Sequence, residues 1–134
     1  PSKDVVITGG EPTLYNLSLL CEKLQQLGYN TFLETSGAHK LTGQWDWICL
    51  SPKKNAAPKE AVYEKAHELK VIIHNKNDFQ WAEEHAKLVG GNCKLYLQPE
   101  WSNMDKMLEA TIDYVMKNPK WLISLQTHKF MHIP

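Results

Sequence analysis

Length, composition and charge limit what this chain of 134 residues can be. The length suits one domain, and 15 lysines balance 15 acidic residues with no arginine present, so the charge does not favour broad binding to nucleic acid or to an anionic membrane. No apolar run reaches the roughly eighteen residues of a membrane-spanning helix, and three separated cysteines do not suit a secreted disulfide framework, so we expect a soluble protein of the cytoplasm.

Six strand-like runs follow one another along the chain, and they are rich in β-branched, aromatic and leucine side chains. They cover residues 4–8, 30–33, 45–50, 69–73, 94–97 and 121–125. Between several of these runs, apolar residues recur with a helical period. Because strands that alternate with helices form parallel sheets with right-handed crossovers, we predict an α/β protein with a mainly parallel sheet.

Three helices and a shorter fourth one are predicted from the apolar stripes. The stripes are Leu17-Leu20-Leu24-Leu27, Phe79-Ala82-Ala86-Val89 and Met104-Leu108-Ile112-Val115. Gly28, Gly90 and Asn118-Pro119 are predicted to end them, since glycine and proline are common just after helices. The shorter helix is predicted over residues 58–67, with a proline in its first turn.

Nearly every predicted strand is followed by a polar cluster. These clusters are residues 8–12, 34–37, 51–53, 74–75, 98–100 and 126–129. The carboxyl ends of parallel strands lie on one edge of a sheet, where barrels and doubly wound sheets bind their ligands. Loops of this kind are often polar without binding anything, so one cluster decides little, but six together predict a ligand-binding edge.

The cluster at residues 8–12, Thr8-Gly9-Gly10-Glu11-Pro12, is the most informative. Two glycines let backbone amides approach a ligand closely, and the adjacent carboxylate can accept from an ammonium group, so the motif suits an amino-acid moiety. It lacks the third glycine of a dinucleotide site and the Gly-Lys-Ser/Thr of a P-loop. Its last four residues resemble the motif with which radical S-adenosylmethionine enzymes hold the methionine amino group of their cofactor.

Four further segments narrow the resemblance to one family. Residues Phe32–Gly37, Leu50–Lys53, Leu97–Pro99 and Ser124–Lys129 resemble, in order and spacing, the 7-carboxy-7-deazaguanine synthases. The resemblance covers essentially the whole chain. It implies that residues 1–134 form a single domain, the carboxyl-terminal portion of a partial, incomplete TIM-like barrel of the radical S-adenosylmethionine type. A start at Pro1 instead of methionine also suggests a fragment.

The resemblance implies a specific reaction. Members of the family convert 6-carboxy-5,6,7,8-tetrahydropterin to 7-carboxy-7-deazaguanine, the ring contraction on the route to queuosine and related 7-deazapurines. The implied cofactors are S-adenosylmethionine, a [4Fe-4S] cluster that receives electrons from a donor, and Mg²⁺. A 5′-deoxyadenosyl radical starts the rearrangement by removing a hydrogen atom from the pterin, and no residue is identified as a general acid or base.

The resemblance assigns two groups of ligand-binding residues. S-adenosylmethionine is expected to contact Gly9, Gly10, Glu11, Pro12, Ser36, Ser51, Pro52, Lys53, Gln98, Pro99, Glu100 and Trp101. The pterin is expected to contact Thr8, Glu34, Thr35, Gln126, His128 and Pro134. The sequence does not separate the two ligands at residues 34–36.

Several of these residues also have plain structural interpretations. Lys53 can be a solvated loop charge, and Glu34 can satisfy the amides of a turn. Trp101 can either shield the adenine pocket or cover the rim of the barrel. His128 and His132 are separated by three residues, but no helix is signalled there and no third ligand is evident, so a metal site is not predicted.

The cysteines depart from the family pattern, which carries three closely spaced cysteines before the Gly-Gly-Glu-Pro motif because an iron–sulfur cluster needs converging thiolates. Cys21, Cys49 and Cys93 all follow that motif and are interpreted as small buried hydrophobic residues. We therefore expect the cluster ligands and the position that holds Mg²⁺ upstream of this chain. Without those ligands, the chain alone is expected to be inactive. A fragment of this kind also leaves strand edges and apolar faces uncovered, which predicts a homodimer or a monomer that tends to self-associate.

Two other functions are consistent with the motifs. An activase for a glycyl-radical enzyme shares the Gly-Gly-Glu-Pro motif, although the Ser124–Lys129 segment argues against it. A non-catalytic α/β nucleotide-binding module would use the same sheet edge to hold a ligand without radical chemistry. Three clustered cysteines upstream would exclude the module, and their absence would exclude both enzymes.

Overall fold

The computed structural model describes residues 2–133, which form six strands, five α-helices and two short 3-10 turns. The strands are β1 (Asp4–Ile7), β2 (Asn30–Thr35), β3 (Trp47–Leu50), β4 (Glu68–Ile73), β5 (Lys94–Pro99) and β6 (Trp121–Ile123). The helices are α1 (Ser18–Gln26), α2 (Glu60–Lys65), α3 (Asn77–Ala86), α4 (Met104–Lys117) and α5 (Thr127–Phe130). Among these described residues, no helix has the length and apolar character needed to cross a bilayer.

The strands follow one another through a single sheet in chain order, from β1 to β6. The pairs β1–β2, β2–β3, β3–β4 and β5–β6 are parallel, which confirms the predicted α/β class and its mainly parallel sheet. All six predicted strands are present. Both β2 and β5 run two residues further than predicted, to Thr35 and Pro99, so polar residues expected in loops belong to the strand ends.

The chain divides into two compact units. The first comprises the residues up to Leu69 together with Leu88–Cys93, and the second comprises Lys70–Lys87 and the residues from Lys94 onward. In the first unit, β2 is aligned with β1 and β3 so that Leu33 lies beside Ile7 and Ile48. Leu33 and Ile7 belong to the apolar cluster on which the helix after β1 packs.

Helix α1 uses a different face from the predicted one. Its contacts with the core come from Leu17 and Cys21, one helical turn apart, which cluster with Leu33 of β2. Leu20 and Leu27 of the predicted stripe are 44% and 70% exposed, so the prediction was wrong at these two positions. The reason is that leucines occupy several faces of this helix, and the smaller Cys21 fits the side that lies over the sheet.

In the second unit, helix α3 buries Phe79 and Ala82, as predicted. It ends at Ala86, so the predicted end at Gly90 was wrong and Val89 lies beyond the helix. Helix α4 was predicted one residue out of phase, because its buried residues are Met107 and Thr111 while Ile112 is 39% exposed. A threonine is accepted in this core because its hydroxyl donates to the Met107 carbonyl oxygen at 2.7 Å.

A half-buried carboxylate ties three elements of the second unit together. Glu83 of α3 accepts hydrogen bonds from the Tyr114 hydroxyl at 2.9 Å and from Trp121 Nε1 at 2.7 Å, and it pairs with Lys120 Nζ at 2.5 Å. Burial raises the pKa of Tyr114 to about 12, with a further contribution from its hydrogen bond to Glu83. Glu83 thus links α3 to α4 and to the start of β6.

We expect Glu83→Ala to lower the free energy of unfolding by about 1–3 kcal/mol, because it leaves the donors of Tyr114 and Trp121 without an acceptor. Chemical denaturation followed by circular dichroism measures the change. Glu84→Ala, at the exposed neighbouring position, is the matched control and should change stability by less than about 0.5 kcal/mol. Equal losses in the two variants would contradict this role of Glu83.

Candidate functional site

The chain turns sharply after β1, where the Gly-Gly-Glu-Pro motif lies. Gly9 and Gly10 have φ angles of +88° and +51°, a left-handed conformation that favours glycine. A Cβ atom at either position would meet nothing within 4 Å, so the space above both glycines is open. A ligand can therefore approach the backbone here without meeting a side chain.

The carboxylate of Glu11 is held by residues from two elements of the first unit. Its Oε1 atom accepts from Thr13 N at 3.1 Å, from Thr13 Oγ1 at 2.6 Å and from Thr35 Oγ1 at 2.6 Å. Its Oε2 atom accepts from Ser36 N at 2.7 Å and from Ser36 Oγ. The turn at Pro12–Leu14 and the end of β2 thus fix one carboxylate between them.

These hydrogen bonds keep Glu11 ionised. Burial alone would raise the pKa of Glu11, but the hydrogen bonds from Ser36, Thr13 and Thr35 outweigh it and lower the pKa to about 2. All of these donors are neutral, and no cationic side chain of residues 2–133 forms an ion pair with Glu11. A fixed negative charge beside an open glycine turn suits a cationic ligand, such as an ammonium group.

The lowered pKa of Glu11 predicts a specific loss of stability in acid. Because the folded-state pKa is depressed from 4.5 to about 2, the ionised carboxylate stabilises the fold above pH 4.5, and this stabilisation disappears as the pH falls towards 2. We therefore expect the free energy of unfolding to fall more steeply between pH 5 and 2 for the natural chain than for Glu11→Gln. Parallel pH profiles from urea denaturation would contradict this expectation.

The end of β2 is fixed tightly around Thr35. Its hydroxyl accepts from Gly37 N at 3.0 Å, and its carbonyl oxygen accepts from Ser51 N at 2.8 Å. Gly37 has a φ angle of +78°, and a Cβ atom there would lie 2.6 Å from Leu50 Cδ1. The residues that support Glu11 are therefore themselves held in a densely packed corner.

The remaining predicted residues of the first unit lie at strand ends. Ser51 and Pro52 directly follow β3 and are buried, whereas Lys53 is exposed. Thr8 is exposed after the end of β1, and Glu34 is half-buried within β2. The structure thus brings Thr35 and Ser36 onto Glu11, and it leaves the Lys53 ammonium in solvent.

In the second unit, Gln98 and Pro99 are buried at the end of β5. The side-chain oxygen of Gln98 accepts from Ser124 Oγ, beyond the end of β6, at 3.1 Å. Glu100 accepts from Ser102 N at 2.9 Å and from Ser102 Oγ, so it caps the turn at Trp101–Asn103. This capping contact is a structural use of Glu100 that the sequence did not indicate.

Trp101 lies against the last helix of the second unit. Its ring meets Phe130 edge to face, with centroids 5.1 Å apart, and Lys129 Nζ lies 5.1 Å from the Trp101 ring centroid. Gln126 and His128 lie at the start of α5, half-buried and exposed respectively. Pro134, the other predicted substrate contact, lies outside the described residues.

Two residues near strand ends were missed by the sequence analysis. Thr13 gives Glu11 both a backbone and a side-chain donor, and the signal that could have revealed it is Pro12, which is typical of the first position after a capping residue. Asp78 is 1% exposed and accepts from His74 N at 2.7 Å and from Asn75 N at 3.1 Å. It fixes the loop after β4, and its place near a helix start was the available signal.

The cysteines do not form a cluster site in the described part of the chain. Cys21 and Cys49 are buried, as predicted, while Cys93 is half-buried. Burial and the nearby Glu68 charge raise the pKa of Cys93 to about 11, whereas a metal ligand must be a thiolate. No group of three histidine, cysteine, aspartate or glutamate side chains within residues 2–133 is placed to hold a metal ion, so these residues do not fit an iron–sulfur cluster.

Several known proteins are similar to this chain over nearly its whole length. No protein-family model matches the chain. Three curated relatives are named 7-carboxy-7-deazaguanine synthase. They come from Flavobacterium psychrophilum (53% identity, 99% of this chain, 63% of the relative), Synechocystis (48%, 96%, 62%) and Prochlorococcus marinus (40%, 96%, 67%). The chain thus spans about 63% of the length of the first relative.

A solved structure shares the fold. The crystal structure of QueE from Escherichia coli superposes with a TM-score of 0.84 at 29% identity, over 94% of this chain and 57% of that one. The Prochlorococcus relative is 40% identical to this chain, and 67% of its length is covered. This similarity establishes the family. The chain belongs to the family of 7-carboxy-7-deazaguanine synthases.

Proposed function

We propose that the protein containing this chain converts 6-carboxy-5,6,7,8-tetrahydropterin to 7-carboxy-7-deazaguanine, a lyase reaction of queuosine biosynthesis. The observation that carries the proposal is the carboxylate of Glu11 in the Gly-Gly-Glu-Pro motif. It is ionised, and only neutral groups donate hydrogen bonds to it. The shared name of the relatives supports this reaction over an activase or a non-catalytic module.

In this proposal, the first unit binds the methionine end of S-adenosylmethionine. The ammonium group donates to Glu11, and the open turn at Gly9 and Gly10 lets the ligand reach the backbone. The ionised carboxylate is already fixed before the ligand arrives, so binding costs little reorganisation. Lys53, exposed after β3, carries the opposite charge and suits the methionine carboxylate.

The other assignments rest on the family resemblance. Ser36, Ser51 and Pro52 are proposed for S-adenosylmethionine, together with Gln98, Pro99, Glu100 and Trp101. Gln98 already uses its side-chain oxygen to accept from Ser124, so a ligand would be bound through its amide NH₂ group as donor.

The residues proposed for the pterin are the remaining members of the predicted set. They are Thr8, Glu34, Thr35, Gln126, His128 and Pro134, of which Thr35 already donates its hydroxyl to Glu11.

The cofactors supply the radical chemistry, and the chain positions them. S-adenosylmethionine is the cofactor that residues of this chain fit, while the ligands of a [4Fe-4S] cluster have to come from outside the described residues. Mg²⁺ and an electron donor complete the proposal from the resemblance. A homodimer is proposed from the strand edges that a fragment leaves uncovered, and a cytoplasmic location from the composition and the separated cysteines. The 134-residue chain alone is proposed to be inactive, because it offers no described site for the cluster.

The test is anaerobic turnover by the full-length protein with a reconstituted cluster, S-adenosylmethionine, Mg²⁺ and a chemical reductant. Liquid chromatography with mass spectrometry should detect 7-carboxy-7-deazaguanine when the carboxytetrahydropterin is added, and no product when the 134-residue chain replaces the full protein. Cleavage of S-adenosylmethionine without this product would contradict the proposed substrate. A failure to bind S-adenosylmethionine would contradict the proposal as a whole.

A further inference from the structure

The two oxygens of the Glu11 carboxylate are used differently. Oε1 receives three donors, all from Thr13 and Thr35. Oε2 receives two donors, both from Ser36. Since a carboxylate oxygen accepts about two hydrogen bonds well, Oε1 has no capacity left for a ligand.

The two threonines that donate to Oε1 are buried, and neither hydroxyl has a proton left to donate to a ligand. Thr13 and Thr35 are only 6% and 4% exposed. A threonine hydroxyl has one proton to donate, and each of these two gives it to Oε1 at 2.6 Å. The lone pairs of the Thr35 hydroxyl are also used, because Gly37 N donates to it at 3.0 Å.

Ser36 is placed differently. It is half-buried, and one of its two hydrogen bonds to Oε2 comes from a hydroxyl, which can rotate away about its Cα–Cβ bond. The backbone N–H of Ser36 stays in place at 2.7 Å. An ammonium group could therefore replace the hydroxyl at Oε2 while every other donor to Glu11 is retained.

We propose, resting on the proposed function, that Thr13 and Thr35 are positioning residues that immobilise Glu11 through Oε1, so that Oε2 receives the ammonium group of S-adenosylmethionine in exchange for the Ser36 hydroxyl. This assigns a role to Thr13, which no motif had indicated. It also gives Thr35 a role in binding the cofactor through Glu11 instead of a direct contact with the pterin. The affinity for S-adenosylmethionine then depends on two hydroxyls that do not touch it.

The test uses the full-length protein and compares Thr13→Val and Thr35→Val with the natural protein. Each valine keeps the shape of threonine but removes a donor to a charged group, so the Kd for S-adenosylmethionine should rise about tenfold. The KM for the pterin should change less than about twofold. Anaerobic equilibrium dialysis measures the Kd, and steady-state kinetics measure the KM.

Two kinds of control separate positioning from general damage. Thr13→Ser and Thr35→Ser keep the hydroxyl and should restore the Kd to within about twofold of the natural value. Thr111→Val removes an equally buried hydroxyl from α4, in the second unit, and should leave the Kd unchanged. A pterin KM that rises while the Kd for S-adenosylmethionine stays constant would overturn the proposal.

Ser36→Ala tests the exchange at Oε2 and does not rely on the folding of the valine variants. Because the ammonium group takes the place of this hydroxyl while Ser36 N keeps donating to Oε2, this variant should bind S-adenosylmethionine more tightly than Thr13→Val does. A loss of affinity larger than that of Thr13→Val would overturn the division between the two oxygens.

The carboxyl ¹³C resonance of Glu11 separates this inference from the proposed function. Its titration should show a raised pKa in Thr13→Val whether or not the protein binds S-adenosylmethionine. An unchanged pKa in that variant would overturn the positioning role. If Thr13→Val raises the pKa of Glu11 but the natural protein binds no S-adenosylmethionine, the proposed function is contradicted instead.

Discussion

Glu11→Gln is expected to reduce kcat/KM for S-adenosylmethionine by at least about 100-fold. The substitution removes the negative charge of the carboxylate and replaces one of its oxygens by an NH₂ group. That group faces the donors of Ser36 at the Oε2 position, or those of Thr13 and Thr35 at the Oε1 position. Loss of a charge-assisted hydrogen bond, together with donors left facing another donor, accounts for a loss of this size. Anaerobic steady-state kinetics of the full-length protein measure it.

The matched control for this prediction is Glu109→Gln. Glu109 is an exposed residue of α4 in the second unit, so the same chemical change there should leave kcat/KM within about twofold of the natural value. Comparable losses in the two variants would mean that Glu11 has no special part in binding the cofactor.

Gly37→Ala is expected to lower the free energy of unfolding by about 2–4 kcal/mol. The added Cβ would lie 2.6 Å from Leu50 Cδ1 and 2.9 Å from Pro58 Cβ, and the φ angle of +78° is strained for any residue with a side chain. Because Gly37 N also donates to Thr35, the strain would reach the residues that hold Glu11. Urea denaturation of the variant measures the loss.

Gly90→Ala provides the comparison for Gly37. Gly90 belongs to the same unit, but a Cβ atom there meets nothing within 4 Å, so stability should change by less than about 0.5 kcal/mol. If both alanine variants were equally stable, the close packing around Gly37 would have no energetic consequence.

The sequence predicted the strands and the site motif well, because both depend on local patterns. Runs of β-branched and aromatic residues marked all six strands, and the positive φ angles of Gly9 and Gly10 follow from a Gly-Gly pair at a strand end. The helix faces were predicted less well. In α1 and α4, leucine, isoleucine and methionine occur on more than one face, and only packing against the sheet selects Cys21 and Thr111 for burial.

The support of Glu11 could not be read from spacing alone. Thr35 and Ser36 are 24 and 25 residues away from it along the chain, and only the parallel pairing of β1 with β2 brings their strand ends together. The sequence therefore indicated both residues as ligand contacts but not their contact with Glu11. The capping role of Glu100 was missed for a similar reason, since it depends on how the turn after β5 folds back on its own carboxylate.

The most direct test of the account compares S-adenosylmethionine with its deaminated analogue, which lacks only the amino group. The full-length natural protein is expected to bind the analogue about 100-fold more weakly, whereas Glu11→Gln should bind the two compounds with nearly equal affinity. An equal affinity for both compounds in the natural protein would contradict the assignment of Glu11 to the ammonium group.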